Sequence, residues 1–99
     1  MAVTKKQPYE RYFIHGDFTD VMATGETIIT GVITAIDKDG TDATADVIEA
    51  GTDYAEGPLY YFRIVDGLEI QSPYKFTLRI ETSLGNRWEI DGGIEVVER

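Results

Sequence analysis

Carboxylates, one imidazole and a set of phenols are the chemically capable side chains of this sequence. The densest carboxylate run is Asp37-Lys38-Asp39-Gly40-Thr41-Asp42, with Asp46 beyond it. Its spacing resembles part of a calcium loop, in which hard oxygens surround a cation that takes about six to eight of them. The helix-flanked form of that loop needs carboxylates at positions one, three and five, glycine at six and a bidentate glutamate at twelve. With Gly40 at position six, Ala35 falls at position one and Asp46 at position twelve. The first ligand and the glutamate are both missing, and the flanks read as strands. The run therefore predicts a turn with solvated acids and no metal. His15 is the only histidine, the chain has no cysteine, and no Gly-x-Ser-x-Gly nucleophile elbow occurs. A surface or rim position on a strand is the expectation for it, rather than a general base. No phosphate-binding loop or dinucleotide fingerprint is present. These residues predict no catalytic constellation, no cofactor and no enzyme.

The phenols are more suggestive. Tyr9, Tyr12, Tyr54, Tyr60, Tyr61 and Tyr74 are many for 99 residues, and exposed tyrosines make good contact residues. Tyr60 and Tyr74 are expected in the core or at a corner. Tyr54, in a glycine-flanked loop at 50–57, and Tyr61 are the candidate surface contacts.

Strands must position these groups. Over 74–81, apolar Tyr74, Phe76, Leu78 and Ile80 alternate without a fault with Lys75, Thr77, Arg79 and Glu81. A period of two is that of a half-buried strand, whereas a helix would need apolar positions three and four apart. Ser83-Leu84-Gly85-Asn86 supplies a turn, and Trp88 and Ile90 share one face of the returning strand. This hairpin, carrying the only tryptophan, is expected at the centre of the core. Further strands are expected at 11–18, at 28–36, as a short edge strand at 46–49, and at 58–65 with Tyr60, Phe62 and Ile64 on one face. A brief strand or crossing is expected at 68–71, and a last strand at 94–98 beyond a break at Asp91-Gly92-Gly93. In 28–36 both parities are apolar, so a face switch is expected at Gly31, with Ile29 and Ile33 inward. One short helical turn is expected near 19–24, with Phe18, Val21 and Met22 plugging one end of the core. About seven strands at regular spacing indicate an antiparallel β-sandwich or barrel. The Tyr74-x-Phe76 pair makes the sandwich immunoglobulin-like. In such folds a tyrosine two residues before a core position ties a corner with its hydroxyl, and Phe76 would take the place that antibody domains give to cysteine.

Composition narrows the function classes. Ninety-nine residues suit one domain, expected at 9–99 after a short flexible arm at 1–8. That arm has two lysines but no apolar segment behind them, so no secretory signal is read there. No run approaches the ~20 apolar residues of a membrane span. Eighteen acidic against nine basic residues give a net charge of −9. Phosphate backbones and anionic membrane surfaces repel such a chain, so neither nucleic acid nor membrane is an expected partner. The absence of cysteine suits a chain made in a reducing cytoplasm.

Gly16-Asp17-Phe18-Thr19-Asp20-Val21-Met22-Ala23-Thr24-Gly25-Glu26-Thr27-Ile28 resembles the opening segment D-F-T-x-x-L-x-x-G-E/D-T-I of small immunoglobulin-like virion proteins of tailed bacteriophages and prophages. Tyr74-Lys75-Phe76-Thr77-Leu78-Arg79-Ile80-Glu81-Thr82-Ser83-Leu84-Gly85-Asn86 is similar to their Y-x-h-x-x-x-h-x-T-S-x-G-R hairpin, where h is apolar. The chain departs from them at 65–73, where glycines are usual, and at Asn86, where arginine is usual. The resemblance implies a non-enzymatic virion structural protein made in the bacterial host cytoplasm. It would sit at the head–tail junction, on the tail or on the capsid, with other virion proteins and copies of itself as partners. An alternative is a carbohydrate or cell-surface binding module that holds a host glycan through Tyr54 and Tyr61. A third reading is a subunit of a larger enzyme complex.

Overall fold

The computed structural model describes residues 2–97. Met1 of the expected arm and Glu98 of the expected last strand lie outside the described residues. The strands, in chain order, are β1 (Ala2–Lys6), β2 (Tyr12–Asp17), β3 (Ile28–Ile36), β4 (Tyr54–Glu56), β5 (Leu59–Ile64), β6 (Tyr74–Thr82) and β7 (Arg87–Val96). One sheet has the order β1-β7-β6-β3 and the other β2-β5-β4. All pairs are antiparallel except β1 with β7. This is the strand order of an immunoglobulin-like β-sandwich whose first strand has joined the sheet of the last.

The inward rows follow from the alternation. Tyr74, Phe76, Leu78, Ile80 and Thr82 are buried along β6, and Tyr60, Phe62 and Ile64 along β5. With Ile94, Val96, Val47 and Phe18 they form one core between the sheets. At its centre the Phe62 and Phe76 rings meet edge to face at 5.1 Å, a favoured aromatic geometry. The expected corner is present: at the start of β6 the Tyr74 hydroxyl accepts a hydrogen bond from the Leu68 amide at 3.0 Å.

Several expectations are corrected. Residues 2–6 of the expected arm form β1, paired in register from Ala2↔Gly92 to Lys6↔Val96. The inward positions of β1 are Thr4 and Lys6, opposite buried Ile94 and Val96, so no apolar alternation marks it. Lys6 is fully buried. Its stem fills the core edge while its ammonium donates to the carbonyls of Gln7, Pro8 and Asp66. Burial lowers its pKa, against the pull of Asp66 and Glu10.

The expected helical turn at 19–24 is a single turn, with the Val21 and Met22 amides both bonded to the Phe18 carbonyl at 3.1 and 3.0 Å. The helix of the fold is α1 (Thr44–Val47). It replaces most of the edge strand expected at 46–49, of which one bridge, Ile48↔Ile64, remains. Residues 68–71 hold a 3-10 turn at Glu69–Gln71 instead of a strand.

In β3 the face switch lies at Ile29, not Gly31: the register with β6 slips between Ile28 and Thr30. Ile29 is therefore 63 % exposed, while Ile28 and Ile33 pack on the core. Gly31 serves another purpose, because a Cβ there would lie 2.3 Å from the Tyr60 ring.

Strand β7 runs unbroken through Asp91-Gly92-Gly93. Gly92 is needed for space, since a Cβ on it would lie 2.2 Å from the Phe76 ring. Trp88 is not the centre of the core. It is half-buried at one end of the sandwich, packed against the core from the rim opposite Ile80.

Candidate functional site

Because Tyr60, Phe62 and Ile64 of β5 point inward, Tyr61 and Arg63 must point outward. The register then sets their neighbours. Tyr61 lies opposite His15 of β2 on one side and Tyr54 of β4 on the other, and Arg63 lies opposite Phe13. The outer face of the three-stranded sheet thus carries a continuous strip of rings. Tyr54 and Tyr61 stack at 5.0 Å with an interplanar angle of 10°. His15 sits 5.1 Å from Tyr61 and the Phe13 ring meets Tyr54 edge-on at 5.7 Å. The Arg63 guanidinium lies 4.7 Å from the centre of the Phe13 ring, a cation–π distance. Phe13 is 38 % and Tyr54 46 % exposed.

The strip rests on a rigid support. Beneath it the buried Tyr60 ring fills the gap at Gly31 of the opposite sheet, and its hydroxyl donates to the Asp53 carboxylate. Asp53 immediately precedes Tyr54, so this bond fixes the start of β4. Burial, together with Asp53, raises the pKa of Tyr60, which keeps the hydroxyl protonated as a donor.

Charge is graded along the strip. At the Phe13 end, Glu49 is shared by two guanidiniums, Arg63 at 3.6 Å and Arg11 at 4.0 Å. At the other end, Asp17 and Glu56 flank Leu59 in the register. The outer face of the four-stranded sheet has no such imbalance. There Lys75 pairs with Asp91 at 3.6 Å, Arg79 with Glu89 at 2.6 Å and Arg87 with Glu81 at 3.2 Å. Exposed pairs of this kind contribute little stability, but they neutralise that face.

Two carboxylates of the acidic run at 37–42, Asp37 and Asp42, are committed to groups close by in the chain. Asp37 accepts from the amides of Asp39 and Thr41 at 2.9 and 3.0 Å. Asp42 accepts from the hydroxyl and amide of Thr44 at 2.7 and 3.1 Å, which lowers its pKa and starts α1. Among the described residues no three His, Cys, Asp or Glu side chains converge as a metal site would require.

The structure therefore brings together both contact residues read from the sequence, Tyr54 and Tyr61, although Tyr54 sits on a strand and not in the expected loop. It adds Phe13, His15 and Arg63, which sequence reasoning missed. The signal was there: the outward parity of 59–64 is fixed once Tyr60, Phe62 and Ile64 are assigned inward, and Phe13 and His15 share one parity of the strand before it. No protein-family model matches the chain, and no curated protein matches it.

Proposed function

We propose that this chain is a non-enzymatic structural component of a tailed-phage or prophage particle, acting by protein–protein contact, with the aromatic strip of β2, β5 and β4 as its docking face. One observation carries the reading: preorganised rings, with Phe13 and Tyr54 exposed and Tyr61 and Arg63 half-buried among them, stand together on the outer face of a sheet. Tyrosine and arginine dominate the energetics of protein interfaces, because they bury much area for little lost freedom. The sequence resemblance gives the particle context. Other virion proteins are the partners, and repetition of the protein in a particle would multiply a weak contact into a firm one. The net charge disfavours nucleic acid, as the repulsion from phosphate requires.

A glycan-binding role is the second reading, favoured by the exposure of Tyr54. Sugar rings stack on open aromatic faces, yet Tyr54 and Tyr61 each spend one face on the other, which favours a protein partner. The test is to purify particles after induction and probe for the polypeptide, with wild-type protein and with Tyr54→Ser. Presence in the particle, reduced by the substitution, is the expected result. Absence from purified particles, or a glycan-array signal that depends on Tyr54, overturns the reading.

A further inference from the structure

We infer that the occupant of the strip is a second copy of this chain, laid face to face with its strands reversed, so that Asp17 of each copy meets Arg63 of the other. The inference rests on the docking reading above and adds the identity of the partner.

The strip is built in rows. Its middle row is His15, Tyr61 and Tyr54, one residue from each strand. On one side of that row lie Phe13 and Arg63, and on the other Asp17, Leu59 and Glu56. Along β2, Arg11, Phe13, His15 and Asp17 all stand exposed. The charges of this face are sorted rather than biased. Arg11 and Arg63 share Glu49 at one end, while Asp17 and Glu56 at the other make no ion pair among the described residues. Glu10 and Asp66, beside Arg11, lie in the field of the Lys6 ammonium.

A twofold axis along the middle row, in the plane between two copies, reverses the strands and keeps β2 over β2. Tyr61 then meets Tyr61, Tyr54 meets Tyr54, and the row of Phe13 and Arg63 faces the row of Asp17. Because the Arg63 guanidinium lies over the Phe13 ring, it sits in the β2 column, where the second copy brings its Asp17. Symmetry makes that contact twice. The parallel arrangement would set Arg63 on Arg63 and Asp17 on Asp17, and it is disfavoured. A partner segment of one sign suits one end of the strip and is repelled from the other, whereas a reversed copy suits both. The outer face of the four-stranded sheet has no such ends to match, because its cations are paired side by side, Lys75 with Asp91, Arg79 with Glu89 and Arg87 with Glu81.

The test uses the full chain alone. Sedimentation equilibrium from about 10 µM to 1 mM measures association, and amide shifts of isotope-labelled protein on dilution locate the contact. A monomer–dimer equilibrium is expected, with shifts at Phe13, His15, Tyr54 and Tyr61. Asp17→Lys and Arg63→Glu should each weaken the dimer at least about tenfold. The two changes together in one chain should restore most of the affinity, since each copy then presents the exchanged charges to the other. Tyr54→Ser should weaken the dimer about tenfold. A dispersed amide spectrum identifies the variants that remain folded. A chain still monomeric at about 1 mM, shifts confined to another face, or a double variant no tighter than the single ones would each overturn the inference. If the chain stays monomeric while particle incorporation still depends on Tyr54, the second copy is refuted and the docking face stands. If the dimer forms through the strip while incorporation ignores Tyr54, the self-contact stands and the docking reading is refuted.

Discussion

Gly92→Ala adds one methyl group at a place already filled by the Phe76 ring. The new carbon would lie 2.2 Å from Phe76 Cζ and 2.3 Å from Cε2, against roughly 3.5 Å for a relaxed carbon–carbon contact. The Phe76 ring would have to retreat by roughly 1.3 Å, the difference between those two distances. It has nowhere to go. Phe62 meets it edge-on at 5.1 Å, and the row across the sheet is Ala35, Phe76, Gly92, a large ring set between two small residues. Overpacking of this kind costs about 1–3 kcal/mol, and a ring confined on several sides belongs near the top of that range. Stiffening the unfolded chain returns about 0.4–1 kcal/mol, so the net loss should be about 2 kcal/mol. For a domain of this size that lowers the melting temperature by about 8–16 °C. Urea unfolding followed by Trp88 fluorescence reads it as a lower midpoint at unchanged slope. Gly93→Ala is the control one residue away. Its Cβ would meet Val3 Cγ2 at 3.4 Å, and the change should stay within about 0.5 kcal/mol of wild type. Phe76→Leu should relieve Gly92→Ala, with a coupling of about 1–2 kcal/mol. Equal losses at Gly92 and Gly93, or no coupling to Phe76, would refute the packing argument.

Phe62→Ala should cost about 3–5 kcal/mol, and Trp88→Ala clearly less, because Phe62 is sealed and Trp88 lies at the rim; paired urea titrations with the order reversed would contradict the placement of the core. Lys6→Met should destabilise by about 1–3 kcal/mol, since it strips the donor from three carbonyls, and faster amide exchange in β1 would accompany the loss. Glu26 is held by the Thr82 hydroxyl, the Ala23 amide and Asn86, which lower its pKa. Its contribution is present above glutamate's ordinary range and disappears as the pH falls through the lowered value. Glu26→Gln should therefore flatten the acid limb of stability against pH, as measured by urea midpoints at a series of pH values.

Where inward residues are apolar, the alternation reads directly as structure. Strands β5 and β6, the corner at Tyr74 and the sandwich itself were legible for that reason. Strand β1 was not, because its inward residues are Thr4 and a lysine whose ammonium is met by the Asp66 carbonyl, 60 positions away, as well as by two carbonyls close by in the chain. Composition cannot announce such a partner. Gly92 reads as part of a break and Gly31 as a face switch, yet both are gaps cut to receive rings from Phe76 and Tyr60, a purpose visible only once the partner strand is in place. The site was half legible: Tyr54 and Tyr61 stood out by type, while their union with Phe13, His15 and Arg63 depends on the register of β2 and β4 against β5.

Strand β1 lies beside β7 and points the same way, with residue 2 at one end of the pair and residue 97 at the other. Tension applied between those ends slides the two strands past each other. Every rung from Ala2 to Lys6 is then strained together, whereas a sideways tug would unzip them one after another. The domain should thus yield abruptly and at high force when stretched lengthwise, and give way gradually when peeled.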